Sequence, residues 1–130
     1  MVHDCGTPLN PKLVEGQVRG GIAQGFGQAL GEELLYDAES GQLLNGTMMD
    51  YFAPTARDVP PVELLHTIVP SPVTTRGVRG VGQVGTIPVA AAVANAVFDA
   101  LVDFGVELDR LPITPELVWR TLNGTLRTRS

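Results

Sequence analysis

The sequence predicts an α+β fold in which two long helices pack on a small mixed sheet. Apolar residues recur at helical spacing along residues 13–34, and a second, alanine-rich run extends from Ile87 to Leu101. Between them, residues 62–69 form an apolar run bounded by prolines, which is typical of a short buried strand. A chain of 130 residues with 44% hydrophobic side chains is expected to form a single domain, 1–130, with its own core.

The first helix is predicted to begin at Asn10 and Pro11, because Asn is a good N-cap and Pro is favoured in the first turn. On a helical projection, four glycines fall within about 60° of arc and three glutamines form a neighbouring stripe. Glycine inside a helix costs about 0.5–1 kcal/mol relative to alanine, so another interaction must offset that cost. Two interpretations stay open: close helix packing beside solvated glutamines, or contact with a flat ligand. The two stripes are Gly16, Gly20, Gly27, Gly31 and Gln17, Gln24, Gln28.

The remaining elements follow from local signals. Residues 34–44 predict a short hairpin, and residues 70–83 a loop. Thr86 is predicted to cap the second helix, and Gly105 to end it in the left-handed conformation. Thr114 is predicted to cap a short helix that runs from Pro115 to Leu122, followed by a polar tail from residue 123.

Composition excludes several function classes. The formal net charge is −5 and the basic residues are scattered, which argues against a nucleic-acid partner. A lone Cys5 excludes an internal disulfide, a Cys-ligated zinc site and an iron–sulfur cluster held by this chain alone, and it fits a reducing compartment. Neither a signal sequence nor an apolar run of about 20 residues is present, so we expect a cytoplasmic protein with no membrane association.

Residues 79–86, R-G-V-G-Q-V-G-T, are a glycine-dense loop that leads into the second helix and presents Gln83 there. This string resembles the loop G-x-[KR]-G-x-G-E-G-G-T of the molybdenum hydroxylases, the family of xanthine dehydrogenase, aldehyde oxidase and aerobic carbon monoxide dehydrogenase. Further motifs, which begin with D-x-G at Asp4 and continue with Q-x-x-G-G-x-x-Q-G-x-G from Gln17, match in order over nearly the whole chain. The resemblance implies a subdomain of the molybdenum-cofactor-binding domain, from the C-terminal part of the large subunit.

The resemblance also implies a chemistry and a set of roles. Such enzymes hydroxylate their substrates with oxygen from water, and electrons leave through iron–sulfur and flavin subunits. Gln83 takes the position of the family's general-base glutamate, and the chain supplies no metal ligand of its own. The residues that the resemblance places beside the molybdopterin are Gln17, Gly20, Gly21, Gln24, Gly25, Gly82, Gly85 and Thr86.

The sequence differs from the family pattern in two respects, and these differences lead to two alternative hypotheses. The amide of Gln83 cannot serve as a general base, a role that contributes a factor of about 10²–10⁴. The upstream segments that line most of the family's pocket are also missing. The chain is therefore either a piece of a split hydroxylase completed by a partner chain, or a non-catalytic remnant that persists as a folded oligomeric binding or structural module. Alone, it is expected to hold no cofactor, to be inactive and to form a homo-oligomer.

Other candidate residues have simpler interpretations. His66 alternates with apolar residues along its strand, which favours a core or edge histidine over a ligand. His3 beside Asp4 and Cys5 is a weak metal candidate, because adjacent side chains of a strand point to opposite faces. The two arginines beside the glycine loop, Arg76 and Arg79, are expected either to bind a cofactor phosphate or to remain solvated. Trp119 is expected to anchor its helix into the core or onto a partner surface.

Overall fold

The computed structural model describes residues 1–124, which contain three α-helices and two short strands. The predicted α+β fold class is confirmed. Within this part of the chain, no helix is both long enough and apolar enough for a membrane crossing. In chain order the elements are β1 (Val2–His3), α1 (Pro11–Leu30), β2 (Leu65–His66), α2 (Val89–Leu101) and α3 (Pro115–Leu122), with 3₁₀ turns at Thr75–Gly77 and Val102–Phe104.

The first helix begins where the sequence predicts and ends earlier. The Asn10 side chain accepts a hydrogen bond from the Leu13 N–H over 3.1 Å, as an N-cap does. The helix ends at Leu30, so the prediction that it continues to Leu34 is wrong. Gly27 O accepts from the N–H groups of both residue 31 and residue 32, at 2.9 and 2.7 Å, which closes the last turn.

The core side of α1 contains two glycines that meet the segment leading into α2. A Cβ placed on Gly21 would lie 3.0 Å from the Cα of Gly85, and one on Gly25 would lie 2.6 Å from the Cβ of Val89. These two positions bring α1 and the start of α2 together because neither has a side chain. The buried side chains that share this face are those of Val18, Ile22 and Ala29.

The glycine stripe predicted as one close-contact face is divided between two surfaces. Beside Gly16 and Gly20, the space that a Cβ would occupy is open. Beside Gly27 and Gly31, that space is filled by nearby residues of the same chain, which include those at 52 and 54. Close packing within the described residues therefore covers only Gly27 and Gly31 of this stripe, and the contact with α2 lies on the adjacent face of the helix. Contact of a ligand with the open part of the stripe stays a prediction.

The predicted strand at residues 62–69 is mostly exposed. Only β2 forms, and it pairs in parallel with β1, so that Val2 lies opposite Leu65 and His3 opposite His66. The side chain of Leu65 is 62% exposed, and the expectation of a largely buried strand is wrong. The physical reason is the small size of the sheet, which has only these two strands among the described residues. A two-stranded sheet leaves much of both faces and its outer edges exposed to solvent.

Residues 34–44 turn back on themselves as predicted, with one antiparallel bridge between Tyr36 and Leu43 instead of a longer hairpin. Asn45 stabilises the base of this turn. Its buried side chain accepts from the Leu35 N–H over 2.9 Å and donates to Glu33 O over 2.6 Å.

The second helix begins later than predicted. It starts at Val89, and the capping position is held by Pro88 without a side-chain hydrogen bond, so the prediction of Thr86 as its cap is wrong. Its C-terminal end agrees with the sequence. After a 3₁₀ turn, Gly105 takes the left-handed conformation with φ of 64°.

The third helix has the predicted bounds. The Thr114 hydroxyl accepts from the Leu117 N–H over 3.1 Å, and Pro115 occupies the first turn. The Ile113 N–H donates to Ala29 O over 2.6 Å, which ties the start of α3 to the end of α1. Apart from its first two residues, the predicted polar tail lies outside the described residues.

Candidate functional site

The glycine loop, residues 79–86, lies against the middle of α1. A Cβ on Gly85 would collide with Val18 O and would lie 3.0 Å from Ile22 N. Only glycine permits this approach. Of the residues predicted to bind a cofactor, Gly21, Gly25 and Gly85 are thus buried in the contact between the loop and the helices, which favours the packing interpretation for these three.

Two of the predicted glutamines hold the loop from the exposed side of α1. Gln17 Nε2 donates to Gly82 O over 2.7 Å, near the beginning of the loop. Gln24 Oε1 accepts from the Thr86 hydroxyl over 3.3 Å, at its end. The Thr86 hydroxyl is thus turned towards α1, and α2 begins only three residues later, at Val89. The side chain of the third glutamine, Gln28, has no hydrogen-bond partner among the described residues.

Gln83 lies at the exposed outer part of the loop. Its backbone O accepts from the N–H groups of Thr86 and Ile87, at 3.1 and 3.2 Å, which forms a turn. Its amide side chain has no hydrogen-bond partner within residues 1–124. Since α2 starts only at Val89, Gln83 precedes the helix by more than a turn, and the expectation that it stands at the helix N-terminus is wrong.

The remaining predicted site residues have open backbones. A Cβ on Gly20 or Gly82 would meet no atom within 4 Å, and the same is true of Gly80. These glycines therefore leave room for another group to approach the backbone. Around the loop, the structure presents bare main chain and the exposed side-chain amides of Gln17, Gln24 and Gln83.

A clamp at the start of the loop was not predicted from the sequence. Asp4 Oδ1 accepts from the N–H groups of Gly6 and Val69, at 2.7 and 3.2 Å, and these bonds hold the pKa of the Asp4 carboxyl below its ordinary value. Arg79 Nε donates to Val69 O over 2.9 Å and lies 3.7 Å from Asp4 Oδ2. The available signal was the spacing of Asp4 and Gly6, which is typical of a turn closed by an Asp side chain.

An open cleft of about 550 Å³ lies between the N-terminal segment, the first turns of α1 and the start of the glycine loop. Its lining is largely apolar, and its polar residues include Gln17 of α1 and Arg79 of the glycine loop. The sequence did not predict this cleft, because it forms only when segments distant in the chain meet. Its apolar wall comprises Pro8, Leu9, Leu13, Val14, Val78 and Val81.

The histidines are placed together. His3 is buried, with 5% of its surface exposed, and neither ring nitrogen has a hydrogen-bond partner among the described residues. Its ring meets that of His66 edge to face, with centroids 4.3 Å apart. Burial, followed by the nearby His66, lowers the pKa of His3 from its ordinary value of 6.5. The exposure of His66 on β2 fits an edge histidine.

The three remaining candidates, Arg76, Arg79 and Trp119, differ in their surroundings. The side chain of Arg79 is engaged at the clamp, whereas Arg76 is exposed, without a partner in the described part of the chain, and has a positive φ of 63°. Trp119 is 60% exposed. It therefore does not anchor α3 into the core of this chain, and an anchoring role on a partner surface stays a prediction.

Comparison with known proteins begins with a family match. Residues 1–60 match the sequence model of a family described as "Molybdopterin cofactor-binding domain". This range includes all of α1 with its glutamine and glycine stripes.

Similarity to individual proteins extends along nearly the whole chain. The chain is 48% identical to the nicotine 6-hydroxylase large subunit of Paenarthrobacter nicotinovorans and 43% identical to the carbon monoxide dehydrogenase large chain of Hydrogenophaga pseudoflava, over 96% and 93% of its own length. It superposes on the crystal structure of quinoline 2-oxidoreductase from Pseudomonas putida 86 with a TM-score of 0.88 and 48% identity, over 94% of its length. In each case it spans 15% of the longer protein.

Proposed function

Because the chain belongs to the molybdenum hydroxylase family, through the molybdopterin-binding large subunit, we propose that it supplies the glycine-loop wall of a molybdopterin pocket which a partner chain completes. The observation that carries this proposal is the hydrogen bond from Gln17 Nε2 to Gly82 O. It joins the glutamine stripe of α1 to the glycine loop, so that the two motifs that the family resemblance assigns to the cofactor form one surface.

The residues present fit such a cofactor. A flat pterin with several donors and acceptors needs amides and approachable main chain, and this surface offers Gln24, Gln83 and the open backbones of Gly80 and Gly82. The cofactor, when bound, supplies the redox chemistry of hydroxylation. The role of this chain is to hold one edge of the cofactor by hydrogen bonds and to close one side of the pocket.

Gln83 limits what the chain itself contributes to catalysis. An amide donates and accepts hydrogen bonds but takes up no proton near neutral pH, so Gln83 orients a bound group and does not act as general base. The proposed role of the chain is therefore that of a fragment or small subunit of a molybdenum-cofactor-dependent hydroxylase or dehydrogenase. By itself, the chain is proposed to be inactive. Its proposed partners are the chain with the rest of the large subunit and, through it, iron–sulfur and flavin subunits.

A non-catalytic role is the second candidate, and the same residue favours it. If Gln83 has replaced a general base and no partner chain exists, the molecule is a remnant that persists as an oligomeric binding or structural module. The two candidates differ in one respect that is measurable, namely whether a completed pocket regains activity.

The test uses the large subunit of the nicotine 6-hydroxylase relative, without the 125 residues that match this chain, co-expressed with this chain and with the small subunits of that enzyme. We expect the Gln83→Glu variant to raise nicotine turnover by at least about 10²-fold over the native sequence, because it restores a general base. The matched control is Gln28→Glu, which adds the same charge on α1 away from the loop. Equal turnover for all three would reject the assignment of Gln83 to the base position.

A further inference from the structure

From residue 64 to residue 69, the extended segment uses the main-chain groups of only one of its edges. The N–H groups of Leu65 and Thr67 donate to Met1 O and His3 O, each over 2.9 Å, and the next alternate N–H, that of Val69, is bound by the carboxylate of Asp4. Successive odd-numbered residues therefore face the N-terminal segment. All three N–H groups of this edge from residue 65 to residue 69 are therefore bound.

Over residues 64–68, the opposite edge has no hydrogen-bond partner in the described part of the chain. Alternate residues of a strand direct their main-chain groups to opposite edges, so Leu64, His66 and Ile68 direct theirs away from β1. Within residues 1–124, none of these three makes a main-chain hydrogen bond. An exposed row of unpaired N–H and C=O groups is a template for pairing with another extended strand.

Large apolar residues are also exposed on both faces of this segment. The side chains of Leu65 and Val69 are 62% and 54% exposed, and that of Ile68 on the alternate face is 61% exposed. Parallel sheets are normally covered on both faces, and a two-stranded sheet has little stability of its own. The partner for this edge must therefore bring apolar cover together with its strand.

We infer that the free edge at Leu64, His66 and Ile68 is a docking edge for a β-strand of the polypeptide that carries the rest of the large-subunit fold. The inference rests on the proposed function. The long relatives, of which this chain spans 15%, have the additional chain needed for a strand and its cover. A second copy of this chain is disfavoured as occupant of this edge, because its described sheet has the same two strands and brings no additional apolar cover for them.

The experiment measures amide hydrogen exchange, by NMR, on this chain alone and in complex with the truncated nicotine 6-hydroxylase large subunit. In the free chain, the amides of Leu64, His66 and Ile68 are expected to exchange rapidly and those of Leu65 and Thr67 slowly. In the complex, we expect the first three to slow by at least about tenfold.

Proline substitution tests the edge through binding. Ile68→Pro removes one free-edge N–H and should weaken the complex by about tenfold, while the melting temperature of the free chain is unchanged because that N–H is not used there and the residue is exposed. The matched control is Ala53→Pro. Ala53 is exposed on another loop and its amide also has no partner in the described residues, so this variant should bind as the native chain does.

Several results would overturn the inference: no complex, a complex in which the three amides remain fast, or an isolated chain that already protects them by self-association. The same experiment tests the proposed function independently of the docking inference. If the complex forms with the edge protected but binds no molybdenum and turns over no nicotine, the docking inference stands and the proposed function fails.

Discussion

Gln17 Nε2 donates a hydrogen bond of 2.7 Å to the backbone O of Gly82, across 65 positions of sequence. Through this bond a side chain in the second turn of α1 fixes the beginning of the glycine loop, whose end is held by the contact of Gly85 with Gly21. The open part of the loop between these two points contains Gln83. The orientation of the proposed cofactor wall therefore depends on α1.

Removal of this bond should loosen the loop without unfolding the chain. We expect Gln17→Ala to lower the free energy of unfolding by about 0.5–1 kcal/mol, as for an ordinary exposed hydrogen bond, and to speed amide exchange of the loop around Gly82. Gln28→Ala is the control, because Gln28 lies on the same stripe of α1 and has no partner in the described residues. The same exchange rates in both variants would contradict the role of Gln17.

The glycines of α1 give a matched pair with opposite expected signs. Gly25→Ala places a Cβ within 2.6 Å of the Cβ of Val89, and should destabilise the chain by about 1–3 kcal/mol. Gly20→Ala meets open space and should stabilise the helix by about 0.5–1 kcal/mol. Thermal melts of the two variants decide the point. A lower midpoint for Gly20→Ala would mean that its surface is covered in solution.

Stability should fall on mild acidification because of His3. Its pKa is lowered in the folded state, mainly by burial, so the unfolded chain binds more protons as the pH falls below about 6.5. The folded state is thus disfavoured progressively below that pH and unaffected above it. In melts from pH 7.5 to 5, His3→Phe should abolish this dependence while filling the same buried site. An undiminished slope in that variant would assign the effect to another group.

The isolated chain should sediment as a dimer or larger species, because its core is small and many large apolar side chains remain exposed. On the α2 side, Ile87, Val102 and Phe104 are 72%, 66% and 65% exposed. Such patches are uncommon on soluble monomers. The double variant Val102→Lys with Phe104→Lys should shift the equilibrium towards the 13.8 kDa monomer. A native chain that is monomeric at micromolar concentration would contradict this prediction.

Local signals predicted the ends of elements well where a single side chain determines them. Asn10, Thr114 and Gly105 act as expected, because a cap or a left-handed stop depends on the few residues around it. Thr86 was predicted wrongly for the opposite reason. Its hydroxyl bonds to Gln24 on another helix, a tertiary contact that no local signal contains.

The site was predicted in its residues more than in its geometry. The motifs named the loop and the glutamine stripe, but which glycines pack and which stay open depends on how α1 is rotated against α2. Gly21 and Gly25 are buried, while Gly20 is open. The clamp of Asp4 and Arg79 was missed because its partners are distant in sequence. Burial of segment 62–69 was predicted from its composition, yet no covering strand lies among the described residues.

The most direct test of the account is the molybdenum content of the complex between this chain and the truncated nicotine 6-hydroxylase large subunit, measured by elemental analysis. We predict stoichiometric molybdenum in the complex, none in this chain alone, and a clear loss when the chain carries Gln17→Ala. A well-formed complex without molybdenum, or one whose content does not change in the Gln17→Ala variant, would contradict the claim that α1 and the glycine loop form a wall of the cofactor pocket.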